Sequence, residues 1–231
     1  GGARRMPRAT GAASVAPARG GMGARPGGWR SGTRRVPTPG RGRSFKPAGM
    51  SAAYAQRRAR AAAEMTRLGG PGGIAIIPTA PERPRNRDTD FLYRHDSYFY
   101  YLTGFAEPNA WLVLTGDGKS TLFCQPKDLE REIWDGIRLG PEAAPAALGV
   151  DEAWSVDELD ARLPKLLENT ATVWYPFATH AGLESRIDGW LQKVRARVRY
   201  GALAPEAQRD VCTILDEMRL IKDAHELDLM R

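Results

Sequence analysis

Residues able to do chemistry are few in this chain and widely spaced. The histidines are His95, His180 and His225, and the cysteines are Cys124 and Cys212. His95-Asp96 offers half of a base-orienting pair, in which a carboxylate holds an imidazole for proton transfer. No G-x-S-x-G elbow or other nucleophile context accompanies it, so His95 is expected to serve structure or an interface. Asp88, Asp90 and Asp96 are carboxylates near one another, but their spacing lacks the glycine and closing glutamate of a calcium loop. H-E-x-x-H, H-x-H and C-x-x-C are all absent, so no metal ligand is assigned in this sequence. The cysteines lie far apart in apolar surroundings and predict two buried, reduced thiols. Gly69-Gly70-Pro71-Gly72-Gly73 has neither G-x-G-x-x-G spacing nor a following G-K-[ST]; it reads as a loop before a strand, not a phosphate cradle.

The elements that must position these groups centre on residues 91–128. Aromatic residues crowd there: Phe91, Tyr93, Tyr98, Phe99, Tyr100, Tyr101, Phe105, Trp111 and Phe123. Such side chains dominate cores and interfaces. Asp96 or Ser97 can cap a short helical turn that Gly104 closes. Ala110–Leu114 and Ser120–Cys124, joined by Thr115-Gly-Asp-Gly-Lys119, predict a hairpin at the centre of a sheet.

Upstream, Ser51 caps a predicted helix over 52–65, with Tyr54, Ala61 and Met65 as an apolar stripe opposite the arginines. Ile74–Ile77 predicts a strand buried on both faces and stopped by Pro78. Thr79–Asp90 reads as a charged loop. Downstream, a helix is expected from Asp128 to about Asp135, with Leu129, Ile133 and Trp134 on its apolar side. A short helix over 142–148 and a strand at Ala153-Trp154 follow. Ser155 and Glu158 form a capping box opening a helix to Leu167. Ala171–Tyr175 predicts a strand, and 183–196 an amphipathic helix through Leu183, Ile187, Trp190, Leu191 and Val194. Asp210–Leu220 carries a further helix. Asp223 and Glu226 form a second capping box before a helix of about two turns, too short to stand without another surface. Strands alternating with helices give an α/β class with a mixed β-sheet flanked by helices.

Charge is distributed unevenly. Of 34 basic residues, eleven fall in residues 1–50, which hold no acidic residue; the remainder carries 23 basic against 27 acidic residues. The segment 1–49 is rich in Gly, Pro, Arg, Ala and Ser and is expected to be a disordered extension. Its arginines suit phosphate contacts or an organelle-targeting peptide. The plainer reading is an extension without function, with Met50 as the natural start. No run of 18 apolar residues is present, so no membrane span is expected. Without a signal-peptide core, a cytoplasmic location is expected.

Several ordered motifs together carry a likeness. They are Gly73–Ile77, Arg87-Asp88, Phe91–Ser97, Phe99–Phe105, Glu107–Ala110, Asp128–Gly136, Arg138–Gly140, Ala143–Pro145, and Glu217–Lys222 with Glu226. As a set they resemble the N-terminal domain of Xaa-Pro aminopeptidase (aminopeptidase P), in the creatinase/prolidase superfamily. The resemblance implies three regions: the extension 1–49, the N-terminal domain 50–208, and 209–231 as linker and first helix of a C-terminal pita-bread domain. It implies a full enzyme releasing the first residue from peptides with proline second. Two divalent metals, usually manganese, would bind two aspartates, a histidine and two glutamates, all expected beyond Arg231. A metal-bridging hydroxide would attack the scissile carbonyl. By motif match, Asp88 and Trp134 are implied at the channel mouth of a neighbouring subunit in a homo-oligomer. Asp88 would meet the peptide's free amine and Trp134 would supply an apolar wall. Two other readings are a free-standing α/β interaction domain and, weakest, a nucleic-acid binder using the basic tail.

Overall fold

A computed structural model describes residues 47–230, without the side chains of residues 47–50, 134, 135 and 229. The expected disordered segment 1–49 therefore lies almost wholly outside the described residues. Helix α1 (Pro47–Gly69) leads to strand β1 (Gly73–Pro78), every residue of which is buried. The stretch expected to be a loop instead contains a two-stranded ribbon, β2 (Pro84–Asn86) and β3 (Thr89–Asp90), turning at Arg87-Asp88. All of its residues are exposed, so no hydrophobic alternation marks it in the sequence.

Helix α2 (Ser97–Thr103) follows the capping chemistry. Asp96 accepts the N–H groups of Tyr98 and Phe99 at 2.8 and 2.9 Å, and Gly104 closes the helix at φ 66°. The hairpin is β4 (Trp111–Thr115) and β5 (Ser120–Cys124). Only one turn of the helix expected from Asp128 forms, α3 (Glu132–Asp135). Asp128 instead accepts the N–H groups of Glu130 and Arg131, a local turn that competes with helix. Leu129 and Ile133, expected to face a core, are 79% and 80% exposed.

Next come α4 (Gly140–Leu148), β6 (Glu152–Ser155), α5 (Leu159–Leu167), β7 (Thr172–Tyr175) and α6 (Leu183–Ala196). A 3₁₀ turn over Val156–Glu158 precedes α5; Ser155 caps it, while Glu158 pairs with Arg162 rather than completing the expected box. Strand β8 (Ala207–Asp210), α7 (Cys212–Leu220) and α8 (Ala224–Met230) finish the described chain. Polar β8, AQRD, carries no strand pattern and is held by backbone pairing to β7.

The large sheet has the order β6-β5-β4-β1-β7-β8. Strand β4 runs antiparallel to both neighbours, and the other five strands run the same way. Strand alternation splits β1 between two cores. Ala75 and Ile77 join residues of α1, α2, α4 and α7 on one face; Ile74 and Ile76 join residues of α5 and α6 on the other.

Two arginines of α1 depart from expectation, while Arg60 and Arg67 are exposed as expected. Arg57 and Arg58 are buried, at 6% and 3% exposure, rather than opposite the stripe of Tyr54, Ala61 and Met65. Helix α1 crosses the C-terminal ends of α2 and α4, where carbonyls lack intrahelical partners. Arg58 donates to Leu102 O at 3.0 Å, Leu148 O at 3.4 Å, and Gly149 O. Cys124 and Cys212 are buried as expected, and burial pushes each thiol up to about 12.

Asp151 fastens the start of β6 to β5. Its carboxylate accepts the Ser120 N–H at 2.7 Å and hydroxyl at 2.8 Å, which hold it below the usual carboxylate range. A carboxyl depressed by folding adds stability above its unfolded value of about 3.9, and loses it as pH falls through the folded value. Asp151→Asn is therefore expected to flatten the acid limb of a Tm-against-pH curve, with the wild type steeper below about pH 4. Parallel acid limbs would show that this carboxylate plays no part.

Candidate functional site

The structure places the residues singled out in the sequence at separate points. Asp88 occupies the exposed turn between β2 and β3, and Asp90 is exposed on β3. Phe91 and Leu92 follow, 58% and 99% exposed, with the Arg85 guanidinium 5.9 Å from the Phe91 ring. Trp134 lies on α3; its side chain is outside the described residues. Ile137, just beyond α3, is 85% exposed.

The His95-Asp96 pair does not form. The His95 ring stacks on Tyr100 at 4.1 Å between centroids. Its pKa is lowered by burial and by Arg94, with Asp96 opposing. Asp96 is committed to capping α2, and its second oxygen lies 3.7 Å from His180 Nε2. That contact joins residues 84 apart in sequence, and no local signal announces it. Among the described residues no group of three or more His, Cys, Asp or Glu could hold a metal ion. The described residues of this domain therefore do not fit a two-metal centre.

The sheet's connections define a cleft. The crossover from β5 to β6 passes through α4 on one face, whereas β7 to β8 passes through α6 on the other. Connections that diverge in this way leave a crevice at the carboxyl ends of the strands, the usual ligand position of open α/β sheets. Here a cavity of about 880 Å³ opens past the ends of β1, β5 and β7, with Trp111 at the start of β4 on its wall. Arg186 lines it, held by Asp160 at 3.1 Å and lying 4.8 Å from the Trp111 ring.

At the chain's end the capping box forms: Asp223 N–H donates to Glu226 Oε2 at 3.1 Å, and Glu226 N–H to Asp223 Oδ1 at 2.8 Å. The box is anchored to α1. Arg57 donates twice to Asp223 Oδ2, at 2.7 and 3.1 Å. His225 Nε2 lies 3.3 Å from the Tyr54 hydroxyl, with the rings edge to face at 5.5 Å. Leu227 and Met230 remain 45% and 70% exposed.

A mixed six-stranded sheet carrying helices on both faces defines the class as an α/β domain with a ligand-sized crevice. The profile described as "Aminopeptidase P, N-terminal domain" matches residues 54–174, and the chain belongs to that family. Xaa-Pro aminopeptidase of Escherichia coli K12 is 38% identical over 180 residues, 76% of this chain and 40% of the relative. Human Xaa-Pro aminopeptidase 3 is 32% identical over 171 residues, 70% of this chain and 32% of the relative. Among solved structures, Pseudomonas aeruginosa aminopeptidase PepP superposes with a TM-score of 0.73 at 38% identity, covering 78% of this chain and 40% of that one. The low-pH form of Escherichia coli aminopeptidase P gives 0.72 at 36% identity, covering 77% and 40%. The chain thus spans about two fifths of the length of these bacterial relatives. Among the described residues, no helix is long and apolar enough to cross a membrane.

Proposed function

We propose that this domain gates and assembles a metal-dependent Xaa-Pro aminopeptidase that releases the first residue from peptides with proline second. The observation that carries the reading is the exposed ribbon. Asp88 stands at its tip, and Phe91 and Leu92 leave their rings and methyls in solvent beside it. Exposed apolar groups beside a projecting charge suit a surface completed by another subunit. Asp88 would meet the free amine of a peptide entering a neighbouring subunit, and Trp134 would wall the same entrance. Residues 50–208 form the gating domain in this reading; 209–231 lead into a catalytic domain, with α8 as its first helix. The two metals, manganese by family likeness, belong to that domain, because the described residues here form no ligand set. A cytoplasmic homo-oligomer is the expected setting.

The first test is the coding frame past Arg231. Continuation into a segment with two aspartates, a histidine and two glutamates in pita-bread order is expected. A stop codon there would leave the chain a binding domain only. In the encoded full-length enzyme, Asp88→Ala and Trp134→Ala should each change KM for a proline-second peptide or the oligomeric state. About tenfold in KM is the scale for losing one charge-assisted contact. Unchanged kinetics and unchanged mass by light scattering would remove both residues from the entrance.

A further inference from the structure

We infer that the cleft at the carboxyl ends of the strands is a second peptide site, holding a short peptide by its two charged ends. The inference goes beyond the gating reading and does not rest on it. It stands on Gln125 Oε1 and the Arg83 guanidinium, which line one cavity and have no side-chain partner among the described residues.

At one end lie Gln125, directly after β5, and Asp157, after β6. Gln125 Oε1 is buried and accepts no hydrogen bond among the described residues. Asp157 is exposed and has one carboxylate oxygen bonded to the Ser155 hydroxyl at 3.1 Å. Both are acceptors, and together they call for an ammonium group or another N–H donor. At the other end lie Arg83, beyond β1, and His180, beyond β7. The Arg83 guanidinium is exposed and makes no hydrogen bond or ion pair with the described residues. It suits a carboxylate, which an arginine fork can grip with two parallel bonds. The remaining charges on the wall are already matched, Asp160 with Arg186 and Asp96 with the N-terminus of α2.

The sheet order sets the distance between the ends. From β5, which Gln125 follows, across β4 to β1, which leads to Arg83, is two strand intervals, about 10 Å at roughly 4.8 Å each. An extended chain advances about 3.4 Å per residue, so about three residues fill the gap. The indole of Trp111, on the strand between the two ends, gives the middle of such a peptide an apolar face. A cavity of about 880 Å³ has room for it.

The test titrates the 231-residue chain with tri-alanine in four forms: free, N-acetylated, C-amidated, and blocked at both ends. Calorimetry gives affinity, and the Trp111 indole N–H signal in a proton–nitrogen NMR spectrum gives location. The free peptide is expected to bind and to move that signal, and each single block to weaken binding about tenfold, the scale of one charge-assisted hydrogen bond. Arg83→Ala should abolish the penalty of C-amidation and leave the penalty of N-acetylation. Gln125→Leu should do the reverse; if it fails to fold, Asp157→Asn at an exposed position takes its place. Equal binding of the free and doubly blocked peptides would overturn the inference. So would a Trp111 signal unmoved by millimolar free peptide. No catalytic domain or metal enters this measurement, so either result leaves the aminopeptidase reading to its own test.

Discussion

Arg58→Leu will lower the unfolding free energy by about 2–4 kcal/mol, the range for stranding several buried carbonyls together with lost packing. The leucine keeps the apolar stem but removes every donor. Leu102 O and Leu148 O then lie buried at two helix ends with no replacement, and Gly149 O loses its partner as well. Burial pulls the pKa of Arg58 down from its ordinary value, and the charge of Asp151 opposes that pull. An arginine starts so high that the cation persists across any pH a folding experiment uses. The loss should therefore be independent of pH between about 5 and 9. Arg58→Lys keeps the charge but reaches these carbonyls from one nitrogen in place of a fork, so about half of the loss should remain. Urea unfolding followed by circular dichroism measures all three proteins. A Leu variant within about 0.5 kcal/mol of the wild type would mean that α1 slides and water takes over the carbonyls.

Arg58 also shows where the sequence was readable and where it was not. The alanine-rich stretch announces a helix, and Tyr54, Ala61 and Met65 announce its buried side. A helical wheel counts arginine as solvent-facing, since it cannot know that two other helices end against this one. The same limit explains the ribbon and β8. Both are made of polar residues, and both are held by backbone pairing that leaves no periodic trace. Leu129 and Ile133 err in the opposite direction: apolar spacing predicts burial, yet both stay largely exposed among the described residues.

The aromatic segment and its caps were legible because each signal is local. Asp96 and Gly104 sit at the two ends of one short helix, and the hairpin turn lies between its own strands. The cleft was illegible, because it assembles Arg83, Gln125 and His180 from three separate connections and Trp111 from the start of β4. The family resemblance singles out Asp88 for its place in the matched Arg87-Asp88 piece, and the structure adds that this place is an exposed tip.

Gly104→Ala will be among the most damaging single-atom additions to this domain, at about 2–4 kcal/mol from two separable causes. The first is conformational: φ at this position is 66°, where a Cβ meets its own backbone. That costs about 1–2 kcal/mol. The second is steric. A Cβ here would lie 2.6 Å from Tyr54 Cζ and 2.9 Å from Cδ2. The Tyr54 ring has little freedom to yield. It is 3% exposed, meets the Tyr100 ring at 6.1 Å and the His225 ring at 5.5 Å, and has the Arg57 guanidinium 5.3 Å away.

Gly104→Ala/Tyr54→Leu separates the two causes. The smaller leucine relieves the clash but not the backbone strain. The double variant should therefore be less destabilised than the sum of the singles by about 1–2 kcal/mol. Strict additivity would mean that the tyrosine moves aside without cost and only the left-handed backbone matters. The same ring carries the consequence to the chain's end, because Tyr54 is the hydrogen-bond partner of His225 on α8. If the ring is displaced, α8 loses the His225 contact and leans more heavily on the Arg57 ion pairs to Asp223 and Glu226. Hydrogen exchange over Ala224–Met230 should then accelerate in Gly104→Ala more than the global loss of stability accounts for. An unchanged ratio of local to global exchange would show that Tyr54 packs against α8 without holding it.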